Sequence, residues 1–225
     1  MEPLTIVIRA VCLIVGYLFG MIQSAYILGK AKGIDIREHG SGNAGTTNTL
    51  RVLGRKAGLI VFICDLLKMI VPVIFVTLII NTIFPDLNDM ILLFKLYVGL
   101  GGILGHNFPF YLSFKGGKGI AATSGMIIAY NWMFIPVGLV VFFGVFFITH
   151  YVSLSSLILL ASFFVEMLLL GIFKIGDFGL LPQNVFIEMM VINFIICAFG
   201  YIRHHENISR LIHHEERKTY LSHKN

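Results

Sequence analysis

Two lysines stand among four glycines in FKGGKGIAATSG, residues 114–125, directly ahead of an apolar run. Gly116, Gly117 and Gly119 surround Lys118, and such a turn exposes backbone N–H groups. The segment feeds a helix expected to begin near Ile120, whose amino end favours negative charge. This is chemistry for gripping a phosphate. It is not a nucleotide-binding P-loop, because Leu112 occupies the first-glycine position and Gly119 follows the lysine. His106 and Asn107 sit about one turn from the end of the preceding helix, where a histidine serves equally well as a structural hydrogen bonder or as a catalyst.

A second stretch, DIREHGSGNAGTTNTLRVLGRKAG, residues 35–58, has the same character. Gly40, Gly42 and Gly45 allow close backbone approach, and Ser41, Asn43, Thr46, Thr47 and Asn48 supply short polar donors. Successive N–H groups in such a turn form an anion-binding nest. Arg51 and Arg55 lie four residues apart on the helix expected next, where both can face one anion or serve as membrane anchors. The third stretch, YIRHHENISRLIHHEE, residues 201–216, aligns Arg203, Asn207 and Arg210 as one polar stripe if it is helical. An amphipathic helix on an anionic leaflet is the alternative. The adjacent histidines at 204–205 and 213–214 diverge on a helix and match no ligand spacing, so no metal is expected. Ser153, Ser155 and Ser156, in HYVSLSS, can cap a helix or donate to a phosphate.

The elements that must position these loops are apolar. The 225 residues are 57% hydrophobic and 13% charged, and the mean hydropathy of +0.87 is far above that of a soluble domain. Apolar segments at 4–29, 57–81, 91–112, 120–131, 133–149, 154–173 and 184–202 predict an all-α, polytopic membrane protein of about seven transmembrane helices, one domain over 1–225. The first is too long for a signal-peptide core and is expected to stay as a helix. Lysine and arginine concentrate in the loops at 30–56 and 113–119 and in the tail from 203, thirteen of seventeen in all. The positive-inside rule then puts the amino terminus outside, the carboxyl terminus in the cytoplasm, and every glycine-rich basic loop on the cytoplasmic side. The net charge of +5 is divided among short loops, which argues for phosphate and membrane rather than nucleic acid. Cys12, Cys64 and Cys197 fall inside predicted helices without C-x-x-C spacing and read as apolar filler. Asp65 and Lys68, three apart on the second helix, are expected to pair, because a charge in hydrocarbon needs a partner. Gly99, Gly101, Gly102 and Gly105 suit close helix packing.

With these loops in hand, the sequence resembles the bacterial acyl-phosphate:glycerol-3-phosphate acyltransferase family over nearly its whole length. AYILGKAKGIDIREHGSGNAGTTNTLRVLGRKAG is similar to the first family motif, LGHNFPFYLSFKGGKGIAATSG to the second and RHHENISRLIHHEE to the third. Three places depart from the family pattern: GMIQ precedes Ser-Ala-Tyr where Gly-Ser-Ile-Pro is frequent, His150 replaces a frequent arginine, and His214 falls where the third motif usually has glycine.

The resemblance implies transfer of a fatty acyl group from acyl phosphate to the 1-hydroxyl of sn-glycerol 3-phosphate. The products are lysophosphatidic acid and inorganic phosphate, in phospholipid biosynthesis at the inner (cytoplasmic) membrane, with membrane lipids as surroundings and without cofactor or acyl-enzyme. An acyl phosphate is already activated, so positioning and concentrated positive charge are what the site must supply. On this reading Lys118, Arg51 and Asn207 hold glycerol 3-phosphate, and Arg203 is a further substrate-binding residue. Ser41, Asn43, Thr46, Thr47 and Ser153 or Ser156, with nearby backbone amides such as those of Gly42, Gly45, Gly116, Gly117 and Gly119, hold the acyl phosphate. His204 or a substrate phosphate oxygen takes the hydroxyl proton, and Glu216 ties down the tail. A transporter of a phosphorylated solute is the competing class, less suited because the anion-binding loops share one face and no internal repeat is visible.

Overall fold

A computed structural model describes residues 3–220, and every regular element among them is helical. The first expected span is two helices, α1 (Pro3–Gly20) and α2 (Ser24–Ala31). The break at 21–23 frees carbonyls that hydrocarbon would not tolerate unpaired. Ile22 O accepts from Lys68 Nζ at 2.7 Å and Met21 O from the Tyr111 hydroxyl at 2.8 Å. Gln23, buried in the break where the family often has proline, donates through Nε2 to His106 O at 2.8 Å. A short α3 (Thr46–Leu53) leads into α4 (Arg55–Ile83), and α5 (Ile91–Asn107) returns.

The remaining elements are α6 (Ile120–Tyr130), α7 (Phe134–Thr149), α8 (Val152–Ile172), α9 (Gln183–Arg203) and α10 (His205–Ile212). Among the described residues, five stretches are long and apolar enough to cross a bilayer: Pro3–Ala31, Arg55–Ile83, Pro85–Leu112, Val152–Ile172 and Gln183–Arg203. The segments expected at 120–131 and 133–149 form helices of 11 and 16 residues. At ~1.5 Å per residue both fall short of a ~30 Å hydrocarbon core.

Glycines set the centre of the bundle. Gly16 and Gly20 on α1 pack against Val98 and Gly102 of α5, and Gly101 and Gly105 on α5 pack against Leu13 and Tyr17 of α1. A Cβ at Gly16 would lie 2.0 Å from Val98 O, and one at Gly101 2.0 Å from Leu13 O, so only glycine permits this crossing. Gly99 and Gly102 make room for Met126 and Met69 in the same way. Farther along α1, Arg9 donates to both carboxylate oxygens of Glu188 on α9, at 2.7 and 2.8 Å, and Tyr97 on α5 donates to Oε1 at 2.6 Å. This bidentate pair locks α1, α5 and α9 away from the loops. α6 packs on α4 and α7 on α8, leaving a slot between the two pairs.

Candidate active site

The three loops meet at one end of the bundle around a cavity of ≈ 1520 Å³. Its mouth is lined by residues of the 35–51 loop, the 113–121 turn and the 203–219 tail, and its depth by apolar side chains of α4, α6, α7 and α8.

Asn48 builds the first loop. Its buried side chain accepts from Ser41 N–H at 2.8 Å and donates to the carbonyls of Ile36 at 3.0 Å and His39 at 2.9 Å. Gly40, at φ +64°, closes against it, since a Cβ there would come 2.3 Å from Asn48 Oδ1. Asp35 caps the preceding turn through Arg37 N–H and pairs with the Arg37 guanidinium, which holds its carboxyl well below the usual range. So organised, Ser41, Gly42, Asn43, Gly45, Thr46, Thr47 and Arg51 all line the cavity. Thr46 Oγ1, at the start of α3, is buried without a hydrogen-bond partner among the described residues. Arg51 donates to Thr219 Oγ1 at 3.2 Å, joining this loop to the tail.

The glycine–lysine turn differs from expectation. Gly116 N–H donates to Asn107 O and Gly117 N–H to His106 O, both at 3.1 Å, so neither amide is left for a phosphate. Gly117 lies behind the cavity wall, where a Cβ would come 2.2 Å from His106 Nε2. Beneath it, Lys68 Nζ lies 3.0 Å from Asp65 Oδ1 and 2.8 Å from His106 Nδ1. The lysine saturates its three donors there with Ile22 O, and Ser24 adds a hydrogen bond to Asp65 at 3.0 Å. This buried network makes His106 a support for the turn. Lys118 and Gly119, the latter at φ +80°, do line the cavity at the amino end of α6.

The tail supplies the rest. Arg203, expected to bind substrate, directs Nε and one terminal nitrogen at the carbonyls of Gly116 and Gly117, at 3.0–3.2 Å, with its guanidinium over the Phe108 ring. It clamps the turn. Asn207 Oδ1 accepts from Lys118 Nζ, and its Nδ2 donates to Glu216 Oε1 at 2.7 Å. Ammonium only donates and carboxylate only accepts, so these neighbours fix the amide's orientation. Glu216 also accepts from Ser153 Oγ at 3.0 Å and Arg210 Nε at 2.8 Å. Burial alone would raise its carboxyl, but the three donors outweigh that and keep it below the ordinary range. The Ser153 hydroxyl proton is therefore aimed at Glu216, and that of Ser156 at Val152 O, 2.7 Å away, although both serines line the cavity.

Burial pushes Lys118 down to about 8; Arg210 and Arg203 act in the same direction, against Glu216 and Glu206. His204 is 3% exposed and pushed down to about 4, by burial first and by Lys118 and Arg203 in addition. Its Nδ1 donates to Gly200 O at 2.7 Å, since a carbonyl can only accept. The neutral ring thus keeps the Nε2 lone pair as an acceptor. Its neighbour His205 is exposed, and the two diverge.

Two departures from the family pattern also have a visible form. His214 takes φ +58°, with Glu215 N–H donating to Arg210 O and His214 N–H to Leu211 O. That is the Schellman ending of α10, with histidine in the left-handed position that glycine fills most easily. His150 ends α7 at φ +60°, and its carbonyl accepts from Thr219 N–H at 2.9 Å.

Taken together, the mouth concentrates Lys118, Arg51 and Arg210 beside short polar donors, and the depth is apolar. Among the described residues no cysteine lines it. Such a mouth suits anions and such a depth suits hydrocarbon.

Comparison with known proteins agrees with this chemistry. Residues 10–214 match the family model for glycerol-3-phosphate acyltransferase. The chain is 37% identical over 216 residues to glycerol-3-phosphate acyltransferase 2 of Bacillus cereus, covering 94% of this chain and 95% of that one. It is 37% identical over 210 residues to the glycerol-3-phosphate acyltransferase of Macrococcus caseolyticus, covering 93% and 96%. Among solved structures it is similar to PlsY, an integral membrane glycerol 3-phosphate acyltransferase. The glycerol 3-phosphate form gives a TM-score of 0.77 at 33% identity, covering 94% of this chain and 96% of that one. The lysophosphatidic acid form gives 0.74 at 32%, covering 94% and 95%. A solute transporter finds no support among these relatives. The match along nearly the whole chain, in sequence and in fold, places this protein in the glycerol-3-phosphate acyltransferase family.

Proposed function

We propose that the protein transfers a fatty acyl group from acyl phosphate to the 1-hydroxyl of sn-glycerol 3-phosphate, releasing lysophosphatidic acid and inorganic phosphate. One observation carries this reading: a single cavity joins a cationic, anion-gripping mouth to an apolar slot between helices. Two phosphate groups and one acyl chain match those two halves. Lys118, Arg51 and Asn207 hold glycerol 3-phosphate, and Ser41, Asn43, Thr46 and Thr47 hold the acyl phosphate, with the unpartnered Thr46 hydroxyl as one ready donor. Arg203, Gly117, Asp65 and Lys68 position the turn rather than touch substrate.

In the reaction the glycerol hydroxyl oxygen attacks the acyl carbonyl carbon, the carbon–oxygen bond to phosphate breaks, and the hydroxyl proton goes to a substrate phosphate oxygen. A phosphate monoester with a second pKa of about 6 suits that role near neutrality. His204, neutral and with its Nε2 lone pair as an acceptor, orients glycerol 3-phosphate through its 2-hydroxyl, which leaves the 1-hydroxyl proton to the phosphate. Lys118 neutralises charge on the leaving phosphate and the acceptor.

The same reading puts the seven helical segments in a bacterial cytoplasmic membrane, amino terminus outside, with α6 and α7 completing the spans as a short pair. The site then opens to the cytoplasm, where the glycerol phosphate is dissolved, and its slot opens to the lipid that holds the donor.

The test is a donor panel: purified protein with labelled glycerol 3-phosphate and, in separate reactions, a long-chain acyl phosphate, the matching acyl-CoA and the matching acyl-carrier protein. Product from acyl phosphate alone is expected. Product from the thioesters alone would overturn the assignment of donor.

A further inference from the structure

The apolar half of the cavity runs the length of α7. Phe146, Phe142, Gly138 and Phe134 line it at four-residue intervals, which puts them in one row along that helix. Phe146 lies beside the polar mouth and Phe134 at the far end. Their separation of twelve positions spans about 18 Å. A zigzag chain of ~1.5 Å carbon–carbon bonds advances about 1.25 Å per carbon, so the row matches about fourteen carbons. Leu139 and Phe143 beside it are 53% and 41% exposed, so the slot is open along its flank.

The far end is closed. Phe134 is buried among Tyr130, Phe163 and Phe178, with ring centroids 5.5, 4.9 and 5.9 Å away. Beside it lies a crevice of ≈ 140 Å³ with no water-sized space, bounded by Gly138, Leu159, Ser162, Phe163 and Glu166. Glu166 has no hydrogen-bond or ion-pair partner among the described residues, so a methyl end pushed into that crevice would meet an unpaired carboxyl. The middle, in contrast, is kept open by the absence of a side chain. A Cβ at Gly138 would meet only Leu159 Cδ1, at 3.3 Å, and anything larger would project into the slot.

We propose that this row is a ruler for the acyl chain, in which Phe134 closes the slot and Gly138 keeps its middle passable, so that these two residues set the chain length the protein accepts. The inference rests on the acyl-phosphate reading above. Beyond Gly138 each further buried methylene adds about fourfold in affinity, and past Phe134 that gain stops.

Parent, Gly138→Leu and Phe134→Ala are assayed for kcat/KM with acyl phosphates of increasing even chain length, from too short to reach Gly138 to too long for Phe134. Gly138→Leu is expected to lower the long-to-short ratio at least about tenfold, roughly two methylenes' worth, with the KM for glycerol 3-phosphate unchanged. Phe134→Ala is expected to move the optimum to longer chains; should it fail to fold, Gly138→Leu alone decides. An active Gly138→Leu protein with the parental chain-length profile overturns the ruler and leaves the acyltransferase reading standing. No product from the folded parent with any acyl phosphate overturns both.

Discussion

Lys118 donates to the side-chain oxygen of Asn207, and the same amide donates to Glu216 at 2.7 Å. The principal cation of the mouth is thus aimed by a carboxylate from the tail that it does not touch. Asn207→Asp places a competing negative charge against Lys118 and is expected to raise the KM for glycerol 3-phosphate at least about tenfold, about 1.4 kcal/mol. Glu216→Gln leaves Arg210, Ser153 and Asn207 with one acceptor oxygen fewer and is expected to lower kcat/KM by a similar factor. Steady-state kinetics in the acceptor check both. Parental KM values would show that the relay does not position Lys118.

The pH profile separates the two proton acceptors. His204 is held neutral down to about 4. A rate that needed its unprotonated ring would therefore fall on the acid side only near that value. A substrate phosphate as base places the limb near its second pKa, about 6. The expected result is a limb near 6 that persists in His204→Gln, whatever the loss in rate. On the alkaline side Lys118, at about 8, loses its charge as pH rises, so acceptor affinity is expected to be full below that pH and to decline above it.

Arg203 holds the carbonyls of both Gly116 and Gly117. Lysine cannot reproduce that planar fork. Arg203→Lys is expected to retain the fold and lose most activity, lowering kcat without a matching change in acceptor KM. A variant whose only defect is a raised acceptor KM would instead make Arg203 a direct phosphate ligand.

His214 occupies a left-handed position at the end of α10. A non-glycine residue there costs about 1 kcal/mol. His214→Gly is expected to stabilise the tail by about that amount, read as slower proteolysis of the carboxyl-terminal segment with activity unchanged. An increase in cleavage would contradict the Schellman assignment.

The helices were legible because hydrophobic runs leave a strong imprint on composition; five stretches of the described residues are long and apolar enough to cross a bilayer. The seven apolar segments correspond to helices with small shifts of boundary. The exception is the first: the break at 21–23 carries no proline or glycine beyond Gly20, and the polar partners that satisfy it, Lys68, Tyr111 and the His106 carbonyl, are distant in sequence. The residues around the cavity were legible from the density of glycine, small polar and basic side chains in three loops. Their division of labour was not. Gly117 and Arg203 carry the residue types of a phosphate site, yet both are turned to building the turn, a fact that depends on which groups face each other across eighty-six residues. Asn48 was one of several short polar residues in its loop. Its three hydrogen bonds and the closing of Gly40 against it single it out in the structure.

The most direct test of the central claim uses the purified, detergent-solubilised protein with palmitoyl phosphate and labelled glycerol 3-phosphate, in chelator and without coenzyme A, beside Lys118→Ala. Labelled lysophosphatidic acid from the parent, lost in a folded Lys118→Ala variant, is the predicted result. A folded parent that forms none, or a Lys118→Ala variant with parental rates, would contradict the account.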